Sequence, residues 1–311
     1  MGKIAFVFPG QGAQSVGMAR DAYDALPAAR ALFEAADRTL GLELTKLAFD
    51  GPVEELKQTA NTQPALLTAS LALLEAVKAA GIKADYAAGH SLGEYSALAA
   101  AGILSFEDAV STVRARGQFM EAAVPGGQGA MAAVLGADRD QLTALCADIS
   151  AAGTVVEPAN LNCPGQIVVS GSAEGVAALS ARVKEAGAKR AIALEVSGPF
   201  HSSLMKEAAE RLGEALADVQ FHEGAFPVVA NVSARPVSGA QALRQSLVSQ
   251  VYSPVLWEDS VRWLIAEGVD TFVEIGPGSV LAGLIKKIEK SVRIFSVNSL
   301  ESADALAEAL A

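Results

Sequence analysis

The chain is poor in the residues that usually announce a site. Its 311 residues include two cysteines, three histidines and two tryptophans, and aromatic residues make up only 5%. Cys146 and Cys163 have neither C-x-x-C nor metal-ligand spacing, so no metal is expected on them; a disulfide stays open, with free thiols in a reducing cytosol the expectation. Positive charge is also scarce. Against 35 acidic residues stand 24 Lys and Arg, a formal net charge of -11 with no basic run, which argues against non-specific nucleic-acid binding. No window holds about 18 uninterrupted apolar residues, and Met1 to Gly10 lacks the long apolar core of a signal peptide. The expectation is a soluble, cytoplasmic protein without membrane contact. Internal repeats and low-complexity segments are absent beyond alanine richness.

What is present is apolar mass. Hydrophobic residues make up 51%, and with so few rings among them they suit many closely packed helices against a sheet. The length fits one large domain with an insert, or two domains. The most informative stretch runs from Asp85 to Leu98. Tyr86 to Ala88 reads as a buried strand end, Gly89 and Gly93 bracket Ser91 in a G-x-S-x-G pentapeptide, and good helix formers follow to Ala101, with Gly102 as a stop. That strand–turn–helix context is what a nucleophile elbow requires. It would expose the Ser91 hydroxyl above a helix N-terminus, whose free N–H groups can hold a developing oxyanion. The pentapeptide by itself also fits a glycine-rich turn with a surface serine.

Ile4 to Phe8 is a continuous apolar run, as expected of a strand buried on both faces of a parallel sheet. It leads into Pro9-Gly-Gln-Gly-Ala-Gln14. A dinucleotide fingerprint fails there because Ser15 holds the third glycine position. Helices are predicted over about Val16–Tyr23, Ala28–Leu40, Leu44–Phe49, Asn61–Ala80 and Phe106–Ala122. Beyond Pro125 to Gly129 the pattern becomes strand (Met131–Leu135), helix (Arg139–Ser150), strand (Val155–Asn160), strand (Gln166–Ser170), helix (Ala173–Gly187) and strand (Arg190–Val196). This βαββαβ order is that of a ferredoxin-like unit. The expected organisation is a large α/β hydrolase-like domain (1–125 and 198–311) with a parallel sheet, interrupted by a small inserted domain (126–197). A cleft should lie between the insert and the elbow. Strands near Val228–Val232, Thr271–Glu274 and Arg293–Val297 complete the large sheet, after a long helix to about Val219.

The helix over Phe106–Ala122 carries two arginines on different faces. Arg114 joins Glu107, Ser111, Gln118 and Glu121 on a solvated stripe. Arg116 joins Ala109, Thr112, Val113, Phe119 and Met120 on an apolar one. A guanidinium there is costly unless it meets an anion. That anion is either a buried Asp or Glu of the chain or a substrate carboxylate gripped bidentately, unless the head group snorkels out.

A serine nucleophile needs a base, and the choice is among three histidines. His90 adjoins Ser91, so on a sharp turn their side chains diverge. His222 follows a helix end in a polar stretch. His201, after Gly-Pro-Phe at the border of the insert, is the favoured candidate. No Asp or Glu is marked as a third member, a role that needs only an acceptor for the second imidazole N–H.

FPGQGAQ (8–14), NTQPAL (61–66), GHSLGEYSAL (89–98), RARGQFM (114–120), NCPGQIVVSG (162–171), SGPFHSSLM (197–205) and EIGPG (274–278) occur in this order along the chain. The chain thereby resembles, end to end, the malonyl-CoA:acyl carrier protein transacylases of fatty-acid synthesis, with the acyltransferase domains of polyketide synthases as relatives. The resemblance implies Ser91 as the acylated nucleophile, His201 as its base and the Gln250 backbone carbonyl as the acceptor behind the imidazole. Gln11 and Leu92 would give oxyanion-hole N–H groups, and Arg116 would hold the malonyl carboxylate. Asn160 and Asn162 would be polar pocket residues, and bulky Phe200 leans towards unbranched malonyl. It further implies ping-pong transfer from malonyl-CoA to the phosphopantetheine thiol of an acidic acyl carrier protein, with no metal or redox cofactor. Lys286-Lys287 and Lys189-Arg190 are candidate docking charges, or merely solvated faces. A serine hydrolase or thioesterase and a non-catalytic carrier-binding scaffold remain as alternative classes.

Overall fold

The structure, a computed structural model, describes residues 2–196 and 198–311. Met1, and Ser197 at the predicted end of the insert, lie outside the described residues. Among the described residues ten strands follow in chain order: β1 (Lys3–Phe8), β2 (Tyr86–Gly89), β3 (Gly129–Leu135), β4 (Val156–Cys163), β5 (Gln166–Ser172), β6 (Arg190–Ala193), β7 (Val228–Ala230), β8 (Arg235–Pro236), β9 (Val269–Ile275) and β10 (Arg293–Val297). They form two sheets. The larger has the order β10-β9-β1-β2-β7-β8, parallel throughout except for the antiparallel edge strand β8. The smaller is antiparallel with the order β4-β5-β3-β6. The molecule is therefore an α/β fold with a largely parallel sheet and a separate small antiparallel one.

Helices α1 (Arg20–Ala25), α2 (Pro27–Leu40), α3 (Leu44–Asp50), α4 (Val53–Leu56) and α5 (Thr59–Ala79) lie between β1 and β2. Helix α5 is sheathed by the others, with 17 of its 21 residues buried. Helices α6 (Gly93–Ala100) and α7 (Phe106–Ala122) follow β2, and α7 packs along α5. Helices α8 (Arg139–Ala151) and α9 (Ala173–Arg182) belong to the small sheet and enclose its own apolar core of Leu142, Ile149, Val156, Val169 and Leu179. Helices α10 (Lys206–Ala215), α11 (Ala240–Tyr252), α12 (Trp257–Ala266), α13 (Val280–Ile288) and α14 (Leu300–Leu310) complete the chain. No helix among the described residues is long and apolar enough to cross a membrane.

The two sheets are stitched together. Leu161 N–H donates to Val255 O (2.9 Å) and Val255 N–H to Ala159 O (2.8 Å), so β4 is shared with the segment before α12. Cys163 at the end of β4 packs with Val255 and Trp257 in the large sheet's core. Arg139 on α8 makes a bidentate pair with Asp259 on α12, at 3.0 and 2.9 Å.

Several element boundaries differ from expectation for identifiable reasons. The helix expected from Val16 begins only at Arg20, because Gly17 and Ala19 both have positive φ. Helix α5 starts at Thr59 rather than Asn61, which puts Pro64 inside it. Proline has no N–H for the Ala60 carbonyl one turn back, and Arg114 Nη1 donates to that carbonyl instead, at 2.7 Å. Arg114 also bonds Asn61 Oδ1. It is thus a pin between α7 and α5 and not part of a purely solvated stripe. Strand β6 stops at Ala193 instead of reaching Val196, and Leu194 and Val196 line the cavity described below.

Candidate active site

The site grows from the turn between β2 and α6. A Cβ on Gly89 would lie 1.9 Å from the carbonyl carbon and oxygen of Gly93, and one on Gly93 would lie 2.1 Å from Phe8 O. Only glycine at both positions lets the chain fold back this tightly. Between them Ser91 takes φ 50°, a left-handed conformation that a non-glycine residue adopts only when its surroundings hold it there. Asn231, just after β7, provides that hold. Its Oδ1 accepts from Ser91 N–H at 2.8 Å and its Nδ2 donates to Gly89 O at 2.7 Å.

Ser91 Oγ lies 2.8 Å from His201 Nε2, and His201 Nδ1 lies 2.8 Å from Gln250 O. A carbonyl can only accept, so Nδ1 carries the proton and Nε2 is left as the basic atom facing the hydroxyl. Burial, together with the nearby Arg116 charge, pushes the His201 imidazole down to about 3. It is therefore neutral, as a base must be.

Arg116 is 1% exposed. Its Nη2 donates to Ser91 Oγ and to Gln250 Oε1, both at 3.0 Å, and its Nη1 to Gln63 Oε1 at 2.8 Å. Its Nε has no partner in hydrogen-bonding geometry among the described residues, and the guanidinium carbon lies 5.6 Å from the centre of the Tyr95 ring. Every direct partner is neutral. The buried Asp or Glu that could have satisfied this arginine by contact is absent from its shell among the described residues, so the cation stays available to an anion arriving from outside.

A cavity of about 110 Å³ opens on this cluster, lined by Gln11, His90, Ser91, Leu92, Arg116, Asn160, Phe200 and His201, with Met120, Met131, Leu194 and Val196 as its apolar wall. The Gln11 and Leu92 N–H groups make no hydrogen bond among the described residues. The Gln11 side chain is held aside by Thr59 Oγ1 at 3.0 Å. A second groove of about 310 Å³ shares Gln11, His90, Asn160 and Leu194 with the first and continues past Asn162 towards α13. Asn162 lies outside the wall of the inner cavity; its Oδ1 bonds His90 Nε2 at 2.8 Å. His90 thus faces away from the Ser91 hydroxyl. His222 is exposed in a separate surface groove with Ile103 and Pro227.

Four residues at the centre were not singled out from the sequence: Gln63, Glu94, Tyr95 and Asn231. Glu94 Oε2 accepts from Asn231 N–H (2.9 Å) and Gln250 Nε2 (2.8 Å). Gln250 Nε2 also donates to Ser91 O at 3.0 Å. Gln63 and Glu94 stand inside motifs already quoted, but an acid in the first turn of a helix reads as a partner of the helix dipole. Asn231 follows a short strand and carries no motif.

A family model described as "Acyl transferase domain" matches residues 5–306. A malonyl CoA-acyl carrier protein transacylase of Bacillus subtilis is 55% identical over 302 residues, covering 97% of this chain and 95% of the relative. An acyl carrier protein S-malonyltransferase crystal structure from Vibrio cholerae superposes with a TM-score of 0.95 at 44% identity, covering 98% and 99% of the two chains. So does a malonyl-transacylase solved in complex with its type II PKS acyl-carrier protein, with a TM-score of 0.95, 42% identity and 99% of both chains covered. With the model and these relatives spanning nearly its whole length, the chain belongs to the acyl transferase family.

Proposed function

We propose that this protein carries the malonyl group from malonyl-CoA to the phosphopantetheine thiol of an acyl carrier protein through a malonyl-Ser91 intermediate. The observation that carries the reading is one line of contacts, Gln250 O to His201 to Ser91 Oγ, with the buried Arg116 guanidinium on the same oxygen. His201 takes the Ser91 proton as Oγ attacks the thioester carbonyl, and the Gln11 and Leu92 N–H groups receive the oxyanion. The carbon–sulfur bond then breaks, and CoA leaves with the proton from His201. The carrier's thiol repeats the steps in reverse order, losing its proton to His201 and releasing Ser91. The donor's free carboxylate pairs with Arg116. Asn160 and Phe200 bound the acyl pocket, while Asn162 positions His90 at the mouth of the outer groove. The chemistry calls on no metal or redox cofactor.

The same reading assigns 1–125 and 198–311 to a hydrolase-like domain, and 126–197 to a ferredoxin-like insert. Support for the insert comes from the order β4-β5-β3-β6 with α8 and α9 packed on it. A cytoplasmic setting fits the two free, buried cysteines. The relative solved with its acyl-carrier protein supports the choice of partner.

Intact-mass measurement after incubation with malonyl-CoA, with and without carrier, tests the proposal. The expected result is one malonyl adduct on Ser91 that persists until carrier is added and is absent from Ser91→Ala. Continuous CoA release without an acceptor would indicate a serine hydrolase or thioesterase instead. No adduct at all would indicate a carrier-binding scaffold.

A further inference from the structure

Arg116 presents an electrostatic problem that its direct contacts do not solve. A guanidinium buried among neutral amides is costly without a counter-charge. A carboxylate in direct contact would remove the cost, but it would also occupy the guanidinium edge that a donor's carboxylate needs. The Gln250 side chain stands between the two requirements. Its Oε1 accepts from Arg116 Nη2 at 3.0 Å and its Nε2 donates to Glu94 Oε2 at 2.8 Å. Glu94 is 2% exposed, and the only other buried acid among the described residues, Glu274, is committed to the N–H groups of Leu281 and Ala282 on α13.

We propose that Glu94 is the counter-ion of Arg116, held one amide away through Gln250, and that it limits how strongly the guanidinium grips the carboxylate of the acyl donor. The inference rests on Arg116 receiving that carboxylate. Glu94 touches no reacting atom and acts by position and charge. When ionised it compensates Arg116 in the empty site and opposes the arriving anion, so the acyl group is held without being trapped. Both donors to Glu94, Asn231 N–H and Gln250 Nε2, use the same oxygen. A glutamine at this position can keep both hydrogen bonds and lose only the charge.

A pH signature follows from the groups around it. These are Arg116 on α7, His90 at the elbow, His201 before α10 and Tyr95 on α6. Burial lowers both imidazoles and the Arg116 guanidinium and raises the Tyr95 phenol; an arginine stays protonated even so. Burial pushes the Glu94 carboxyl up to about 7, with the hydrogen bonds from Asn231 and Gln250 and the Arg116 charge acting against it. Glu94 is thus the member of this cluster that changes charge in the neutral range.

The test is the ratio of kcat/KM for malonyl-CoA to that for acetyl-CoA, measured across neutral pH in the wild type, Glu94→Gln and Arg116→Ala. Titration of the CoA phosphates is common to both donors and cancels. In the wild type the ratio should fall as pH rises and Glu94 ionises. In Glu94→Gln it should be higher at alkaline pH, on the order of tenfold for one charge removed at such a distance, and flat with pH. A ratio in Glu94→Gln that is unchanged, lowered, or still pH-dependent overturns the counter-ion assignment, as does an equal loss with both donors. If Arg116→Ala keeps the wild-type ratio, the carboxylate assignment itself fails, a result separable from failure at Glu94 alone.

Discussion

At the scale of single residues, two arginines on one helix do different work. Arg116 faces the nucleophile, whereas Arg114 replaces a hydrogen bond that Pro64 cannot make. Removing one partner of a buried guanidinium–carboxylate pair costs roughly 3–5 kcal/mol. If ~3 kcal/mol of that persists into the transition state, Arg116→Ala slows malonyl transfer by more than about a hundredfold. Acetyl transfer, with no carboxylate to pair, should be spared or raised. Arg114→Ala should leave the malonyl-to-acetyl ratio as it was and lower stability by about 1–3 kcal/mol, since the Ala60 carbonyl and Asn61 amide lose a charged donor. Steady-state kinetics with both donors and a denaturant melt separate the two outcomes. A shifted ratio in Arg114→Ala would contradict its reading as a structural pin.

At the scale of elements, the site depends on how closely α7 lies on α5, because Arg116 comes from one helix and Gln63 from the other. Gly117 sets that distance. A Cβ there would meet Ala60 Cα at 2.7 Å and Thr59 O at 2.8 Å, backbone atoms that cannot swing aside. Gly117→Ala should therefore force the helices apart at a cost of about 1–3 kcal/mol. Because Arg116 is the adjacent residue, malonyl transfer should fall more than acetyl transfer. A thermal melt and the donor ratio read both effects. A variant with normal stability and ratio would mean that the helices are free to slide.

At the scale of the whole molecule, the proposed function asks an enzyme with a net charge of -11 to receive a carrier protein that the family resemblance implies is acidic. The two basic pairs noted in the sequence converge on one end of the small sheet. Lys287 Nζ donates to Gln166 Oε1 at 3.3 Å, and Gln166 lines the outer groove that adjoins the inner cavity at Ser91. Leu135 pairs with Gln166 on one side and Arg190 on the other, which brings Lys189 and Arg190 to the same rim. Reversing Lys286 and Lys287 to Glu, or Lys189 and Arg190 to Glu, should slow carrier capture roughly tenfold and flatten its salt dependence. Pre-formed acyl-enzyme is the species to use, since it removes the phosphates of CoA from the comparison. Unchanged rates in both variants would move docking to another face.

Much of this protein follows from local sequence. The glycines about Ser91 fix an elbow because no side chain fits beside it, and the apolar face of α7 marks Arg116 as an arginine in need of an anion. The βαββαβ order is legible because each of those segments has its own periodicity and turn residues. The tertiary structure decided what depends on distant chain segments meeting. Val16 to Ala19 reads as helix from composition, yet positive φ at Gly17 and Ala19 delays the start to Arg20. Arg114 reads as solvated until Pro64, fifty residues earlier, leaves a carbonyl without a donor. Glu94 reads as a helix-dipole acid until α11 and the residue after β7 bring Gln250 and Asn231 onto it. Periodicity reports which face of an element turns inward; which partner waits there is set by packing across the sheet, and that is not a property of any single stretch of sequence.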